Sequence, residues 1–340
     1  MSAGLSVRRK LQETLSPTAA GRRIRQMRDW HAVVAPLSIV AAVSAVVVVG
    51  NMTSSAFLTK SNWIAILDAT SVTGIVALGM TFITLSGSFF SLSIEQTAAL
   101  SGITFAALMS NGYGVGGAFI ITLLMAGAIG VVQGLVVASG LNPVVTTLGA
   151  GATLYGVASV ATGNTDMYIH STSANWIGQA EPLGIPIQAW TFFALTLVAS
   201  LVLLRTRFGK EVMLVGASRS AARASGLRVG RVTTLAFTLS ALASGLAGIF
   251  AAAQFDQATV IQFNGLNFDV IAAVLVGGAA LQGGEGSALR SAVGALFIGL
   301  LGNLMLLRNA SFGARTLVTG AVVVIATSAF HVIRTRNQMT

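Results

Sequence analysis

Three carboxylates stand inside long apolar stretches of this sequence: Asp68, Glu95 and Asp269. A charged group is costly in an apolar medium, so such residues are expected either to be functional or to lie close to water. They could carry protons, bind cations or accept hydrogen bonds along a path for a polar solute. The second interpretation also stays open: Asp68 and Asp269 are expected within one or two turns of an interface, and Glu95 near a helix end.

Amides complete the set of residues that could line such a path. Asn142 and Asn303 are expected to line it together with the three carboxylates, and Gln133 is another inward amide. Most other residues in the middle of the apolar stretches are Gly, Ala, Ser and Thr. A path of this kind could pass a neutral hydroxylated solute without a deep binding site. Recognition would then come from elsewhere, for instance from an external binding protein.

No motif for catalysis or cofactor binding has the sequence context that it requires. Gly112–Gly117 matches the dinucleotide fingerprint, but no strand precedes it and no acidic residue follows at the required distance. The Gly209–Lys210 pair is followed by Glu211, so the phosphate loop of ATPases is missing. Cysteine is absent, and the three histidines are far apart: His31, His170 and His331. We therefore expect no enzyme activity, no metal and no cofactor in this chain.

Composition explains why the polar residues are so few. Of the 340 residues, 54% are hydrophobic and 9% are charged, whereas a soluble domain carries about 25% charged residues. This excludes a soluble enzyme and predicts a chain whose partner is the lipid bilayer. The net charge of +10 alone could indicate a nucleic-acid binder. The basic residues fall between apolar runs, however, so no nucleic-acid partner is expected.

The apolar runs predict the architecture. A helix needs about 20 apolar residues to cross a bilayer, and ten stretches approach that length. The sequence therefore predicts an all-α, polytopic integral membrane protein with about ten transmembrane helices. The predicted spans are Ala32–Gly50, Ile64–Leu85, Leu92–Met109, Val115–Ser139, Val144–Gly163, Ala189–Leu204, Val232–Ala253, Phe268–Leu281, Ala288–Leu306 and Arg315–Ile333.

Basic residues predict the orientation. Lys and Arg cluster before the first span, between the sixth and seventh spans, and after the tenth, and such clusters stay cytoplasmic. Both termini are therefore expected in the cytoplasm. The expected divisions are a basic tail over residues 1–30, a transmembrane domain over 31–333 with a cytoplasmic loop over 205–231, and a tail over 334–340. The first span is read as an uncleaved helix rather than a signal peptide.

Small residues mark two further features. Gly130 and Gly134 have the spacing that lets membrane helices approach closely; packing inside the subunit is expected, with dimerisation as the alternative. In the 205–231 loop, Ser218 or Ser220 can cap a short helix over residues 221–225, and Gly226 can end it. That helix could dock a soluble partner, or the loop could serve only as a topology signal.

Several motifs, in order, give the chain a family resemblance over roughly residues 62–330. It resembles the membrane subunits of bacterial ATP-binding-cassette importers for monosaccharides, of the ribose, galactose and xylose permease type. The motifs are Gly79-Met80-Thr81, Asn142-Pro143 with Thr147-Leu148-Gly149, Gly209 through Ala217 with Ala221–Leu227, and Leu266–Gly278 with Leu281–Ser287.

The resemblance implies a multi-pass permease of the bacterial inner membrane that works as a dimer, with a second copy or a paralogue. It implies a cytoplasmic ABC ATPase, which would hold ATP and magnesium, and a periplasmic or extracytoplasmic sugar-binding protein. The residues it assigns to ATPase coupling are Gly209, Ala221, Ala222, Arg223, Ala224, Ser225 and Gly226. It also implies a structural glycine turn at Gly277, Gly278, Gly283, Gly284 and Gly286, which either contacts the ATPase or folds tightly within the membrane.

Two positions depart from the family pattern. Gly87–Ser93 lacks an aspartate that such permeases usually carry, and Asn267 stands where glutamate is common. These departures are consistent with an unusual solute or a heterodimeric partner. Nucleosides and branched-chain amino acids remain alternative solutes. An ion-coupled secondary transporter and a non-transporting membrane scaffold are the rival functions.

Overall fold

The computed structural model describes residues 43–169 and 172–339, and helices dominate that part of the chain. The predicted tail 1–30, the first part of the first predicted span, His31 and His170 lie outside the described residues. The first helix, α1, covers Val43–Thr53. The next helices are α2 (Lys60–Leu85), α3 (Ile94–Ser110), α4 (Val115–Ala138), α5 (Pro143–Thr162), α6 (Asn175–Gly178), α7 (Ile187–Arg205), α8 (Arg207–Ala217), α9 (Arg219–Ala224), α10 (Val229–Phe255), α11 (Leu266–Val276), α12 (Ala288–Leu307) and α13 (Phe312–Met339).

Among the described residues, 6 helices are long and apolar enough to cross a membrane. They are α2, α4, α5, α7, α10 and α12; shorter apolar helices are Val43–Thr53, Leu266–Val276 and Phe312–Ala326. The prediction of an all-α, multi-pass membrane protein is confirmed. The count of ten spans and the side on which the termini lie stay predictions.

Helix α10 forms the centre of the fold, because it packs against α2, α3 and α4. Glycines make the α4 contact close: a Cβ at Gly130 would lie 2.7 Å from the Thr238 Cα, and one at Gly134 would lie 2.6 Å from the Thr234 Cα. Any larger side chain would push the two helices apart. The prediction that this glycine pair packs inside the subunit is confirmed.

Two short strands join the segments between helices at one end of the bundle. Strand β1 (Met167–Tyr168) pairs antiparallel with β2 (Gln257–Ala258). The Ser110 hydroxyl at the end of α3 donates to the Tyr168 carbonyl oxygen. The predicted topology places this end outside the cell, opposite the 205–231 loop.

Helix α11 is shorter than the predicted span. It ends at Val276, before the expected end at Leu281, because Gly278 adopts a φ of 78°. Residues in this left-handed region cannot continue a right-handed helix. With 11 residues, α11 rises about 16 Å, roughly half the apolar thickness of a bilayer. From the sequence, this span is short and merges into glycines, so hydropathy fixes its end only roughly.

A second interruption separates α2 from α3. Residues Ser86–Ser93 are non-helical, with φ values of 71° at Gly87 and 55° at Phe89. We call this stretch the 86–93 segment. The two interruptions provide non-helical backbone within a bundle that is otherwise built from continuous helices, and both contribute to the candidate site.

Candidate functional site

The predicted cytoplasmic docking element forms the short helix α9. The Ser218 hydroxyl caps its first turn by accepting a hydrogen bond from the Ala221 N–H at 3.3 Å. Gly226 follows the helix with a φ of 79°, which favours glycine. The prediction of a short capped helix is confirmed, although it spans Arg219–Ala224 rather than residues 221–225.

The residues expected to couple to an ATPase divide into two groups. Ala222 is 4% exposed and anchors α9 on the bundle. Gly209 is also buried, at the turn where α8 leaves α7, because a Cβ there would lie 2.5 Å from the Leu203 Cα. The remaining members are exposed and form the outer surface of the α9 turn: Ala221, Arg223, Ala224, Ser225 and Gly226.

Arg219, the first residue of α9, points into the protein. Its Nη2 donates to the Ser88 Oγ at 2.7 Å and to the Gly87 carbonyl oxygen at 3.3 Å. Burial, and then the charge of Arg223, lower the pKa of the Arg219 guanidinium, but an arginine stays protonated at physiological pH. A charged donor on neutral acceptors makes a strong hydrogen bond. Helix α9 is thus fastened to the 86–93 segment.

Glycines hold the same region together through backbone contacts. The Gly284 N–H donates to the Leu85 carbonyl oxygen at 3.0 Å, and a Cβ at Gly283 would lie 2.6 Å from the Gly87 Cα. Gly216 of α8 packs against both Leu85 and Gly284. We call Gly87, Gly216, Gly283 and Gly284 the glycine junction. It joins the 86–93 segment, the end of α8 and the loop after α11.

The other members of the predicted glycine turn have separate contacts. A Cβ at Gly277 would lie 2.8 Å from the Ser291 Cα of α12, and one at Gly286 would lie 2.8 Å from the Leu85 side chain. Gly278 has a φ of 78°. The turn therefore packs within the subunit, on the side where α9 lies.

The far end of the 86–93 segment carries a polar cluster. The Ser93 hydroxyl donates to the Gln133 Oε1 at 2.9 Å, and the Ser91 and Ser93 hydroxyls are 3.0 Å apart. The Asn267 Nδ2 donates to the Leu92 carbonyl oxygen at 3.2 Å. The Glu95 carboxyl group lies beside the backbone N–H groups of Gly265 and Asn267. We call Ser91, Ser93, Glu95, Gln133 and Asn267 the polar belt.

The polar belt lies inside the bundle rather than at its ends. It joins the first turn of α3, a helix of 17 residues, to the first turn of the short helix α11. Helix α3 ends near β1, whereas α11 runs toward the glycine junction. Both helices are too short for the roughly 30 Å of a bilayer core, so their starting residues meet at an intermediate depth.

Several amide atoms in and beside the polar belt have unused hydrogen-bonding capacity. Of the buried side-chain atoms that have no partner among the described residues, three belong to these amides: Gln96 Oε1, Gln133 Nε2 and Asn267 Oδ1. An unpaired buried polar atom costs free energy. These atoms can therefore bind a hydroxyl group or water that reaches the belt. No three His, Asp or Glu side chains in the described part of the chain come together as metal ligands.

The structure brings one of the five expected pathway residues, Glu95, into the polar belt. Asn142 instead caps α5, accepting from the Val144 N–H at 2.9 Å. Asn303 forms a reciprocal amide pair with Asn62, at 3.1 and 2.9 Å.

The two remaining carboxylates face charged groups outside the polar belt. Asp269 interacts with Arg315 and Thr319 of α13. Asp68 experiences the charge of Glu181, which lies in the segment before α7, and its buried Oδ1 has no partner among the described residues. Neither carboxylate belongs to the polar belt.

Sequence reasoning did not assign Ser88, Ser91, Ser93, Asn267 or Arg219 to a site. The available signal was the pair of departures from the family pattern, in residues 87–93 and at Asn267. The structure places these departures in contact, since the Asn267 amide donates to the Leu92 carbonyl oxygen. An ionised glutamate at position 267 would have no proton to donate to this carbonyl oxygen. The asparagine therefore makes a hydrogen bond to the 86–93 segment that a glutamate could not make.

Comparisons with known proteins agree with this architecture. The chain is 32% identical to the ribose import permease protein of Escherichia coli (strain K12) over 91% of this chain and 96% of that protein. It is 29% identical to the ribose import permease protein of Haemophilus influenzae over 93% of this chain and 96% of that protein. It is 31% identical to the L-arabinose transport system permease protein of Escherichia coli (strain K12) over 76% of this chain and 79% of that protein.

No solved structure matches the chain at a comparable level of significance. Residues 62–327, which hold α9, the glycine junction and the polar belt, match one family over most of the chain. This protein is a multi-pass membrane protein that belongs to the family described as branched-chain amino acid transport system / permease component.

Proposed function

We propose that this chain is the membrane-spanning subunit of an ATP-driven, binding-protein-dependent importer for a monosaccharide or a similar polyol. The observation that carries the proposal is its similarity to a ribose import permease over 91% of the chain. Helices α2 to α12 would form the conduit, and ATP hydrolysis would be supplied by another chain. The membrane would be the bacterial inner membrane, with both termini in the cytoplasm.

The partners follow from the surfaces on which they would act. The exposed turn of α9, with Arg223 and Gly226, would dock a cytoplasmic ABC ATPase that binds ATP and magnesium. An extracytoplasmic binding protein would deliver the solute at the β1–β2 end. A second copy or a paralogue would complete the pathway, because importers of this kind are expected to work as dimers.

The polar belt is our proposed contact for the solute in transit. A sugar presents several hydroxyl groups, and the unpaired atoms of Gln96, Gln133 and Asn267 are one donor and two acceptors. Few and weak contacts suit passage, because a tightly held solute would leave slowly. Recognition would rest with the binding protein.

Solute class can be tested on the cognate binding protein, by its thermal shift against panels of pentoses, hexoses, nucleosides and branched-chain amino acids. A pentose or hexose is expected to raise its melting temperature. Stabilisation by leucine, isoleucine or valine alone would instead favour amino-acid import, which the family description names. Stabilisation by nucleosides alone would also contradict the sugar assignment.

A further inference from the structure

We propose that Arg219 is the positioning residue that transmits the movement of α9 to the 86–93 segment and so to the start of α11. This inference rests on the proposed function, because it takes α9 as the helix on which the ATPase docks. It assigns the inward side of that helix a task distinct from docking.

The two arginines of α9 face different surroundings. Arg223 is exposed and available to a partner, whereas the Arg219 guanidinium reaches Ser88, whose side chain is 0% exposed. The bond of 2.7 Å joins residues that are 131 positions apart in the chain. A displacement of α9 therefore pulls on a buried serine in the non-helical segment.

The glycine junction limits how much of this displacement can be absorbed. Gly216, just before α9, packs against Leu85, and the Gly284 N–H donates to the Leu85 carbonyl oxygen. Backbones that pack directly against each other, without intervening side chains, leave little room for one segment to shift relative to the next. The end of α8, the 86–93 segment and the loop after α11 are expected to move together.

The N–H groups of Ser86, Gly87 and Ser88 still donate to the last turn of α2, but residues 89–93 form no helix, so this part of the segment can respond. Side chains hold much of it in place: the Thr84 hydroxyl donates to the Phe89 carbonyl oxygen at 3.1 Å, and the Thr147 hydroxyl accepts from the Leu92 N–H at 3.0 Å. Phe89 has a positive φ of 55°, a conformation that non-glycine residues adopt at a cost. Such a segment can change conformation more easily than the helices that flank it.

The segment ends at the polar belt, where Leu92 is bonded to Asn267 of α11. A contiguous route thus runs from α9 through Arg219, Ser88 and Leu92 to Asn267. Each step is a hydrogen bond or a stretch of at most a few residues. Movement at the cytoplasmic helix would change the spacing of α3 and α11 where the solute is proposed to pass.

A labelling experiment tests this inference without knowledge of the solute. The chain contains no cysteine, so Phe89→Cys, at a position 49% exposed, introduces a unique thiol in the chain. The complex of this variant with its ATPase is treated with a membrane-permeant maleimide, both free of nucleotide and trapped with ADP and vanadate. Labelling is then measured on this chain alone. The two states are expected to react at different rates.

Arg219→Ala is expected to make the two labelling rates equal while the ATPase still copurifies. Arg219→Lys, which keeps a charged donor, should retain part of the difference. Ser88→Ala removes the shorter of the two hydrogen bonds and leaves the exposed face of α9 unchanged. It should reduce the difference between the two labelling rates. This second variant keeps the test valid if Arg219→Ala fails to fold. Arg207→Ala, at an exposed arginine at the start of α8, serves as the control and should preserve the difference between the two labelling rates.

Equal responses in the parent, Arg219→Ala and Ser88→Ala would overturn the inference while leaving the proposed function intact. A parent complex whose position 89 labels identically in both states would also overturn it. Failure of the parent chain to associate with any ATPase would instead contradict the proposed function.

Discussion

The Asn267 side chain donates to the Leu92 carbonyl oxygen at 3.2 Å, across 175 positions of sequence. This bond joins the first turn of α11 to the end of the 86–93 segment. The Glu95 carboxyl group also lies beside backbone N–H groups at the start of α11. The first turns of α3 and α11, two helices that begin within the bundle, are thereby held together.

Asn267→Asp tests this arrangement with almost no change in size. The new carboxylate cannot donate to Leu92 and would face Glu95, so we expect a loss of about 1–3 kcal/mol of stability. The measurement is the thermal unfolding midpoint of the purified chain in detergent. Asn264→Asp, at an exposed position nearby, is the control and should leave the midpoint unchanged; equal midpoints for both variants would argue against the bond.

Gly216→Ala tests the glycine junction. Its Cβ would collide with Leu85 and with the Gly284 nitrogen, which is 2.5 Å away, and forced overpacking typically costs about 1–3 kcal/mol. We expect a lower unfolding midpoint and a loss of ATP-dependent uptake. Gly149→Ala, with no neighbouring atom within 4 Å, should be neutral or slightly stabilising, since alanine favours helix by about 1 kcal/mol over glycine. Similar behaviour of the two variants would contradict the close packing.

Gly226→Ala and Arg223→Ala test the outer surface of α9. Gly226 has a φ of 79°, so alanine strains the turn, whereas Arg223→Ala removes an exposed charge. Both variants should insert normally into the membrane, but ATP hydrolysis should no longer drive uptake. Hydrolysis and uptake are measured together in reconstituted complexes.

Arg205→Ala provides the matched control for these variants, because Arg205 is exposed in the same basic segment but lies at the end of α7. It should keep hydrolysis and uptake coupled. Unchanged uptake in both α9 variants would remove the docking assignment from this helix.

Asp269 and Arg315 are expected to act as a pair between α11 and α13. Asp269→Asn and Arg315→Gln should each lower the unfolding midpoint. The double variant should lose less stability than the two single variants lose in total. The coupling energy expected for interacting residues is about 0.5–3 kcal/mol. Additive effects in this double-mutant cycle would show that the two residues act independently and would return Asp269 to the candidates for the pathway.

Local signals explain what the sequence could predict. Helix α9 was foreseeable because Ser218 caps it and Gly226 follows it within a few residues, and capping depends on neighbours in sequence. The Gly130–Gly134 contact was foreseeable because its spacing places both glycines on one helix face. The apolar runs predicted most helices, since hydrophobic length is itself the requirement for crossing a bilayer.

Contacts between distant segments explain what the sequence missed. Arg219 looked like one more basic residue marking the cytoplasmic side, because its partner Ser88 is remote in the chain. The glycine turn after α11 was expected at Gly277 and Gly278, but the residue at which the helix ends depends on the φ of Gly278, which the sequence does not give. Asn142 and Asn303 looked available for a solute, but the cap of α5 and the pair with Asn62 already use them.

Uptake into proteoliposomes distinguishes an ATP-driven importer from an ion-coupled transporter. The chain is reconstituted with its ATPase, and radiolabelled ribose and arabinose are supplied with the extracytoplasmic binding protein, in separate vesicles with ATP or with a proton or sodium gradient. Uptake of a sugar is expected only when ATP, the ATPase and the binding protein are present together. Uptake driven by an ion gradient without ATP and without the ATPase would contradict this expectation.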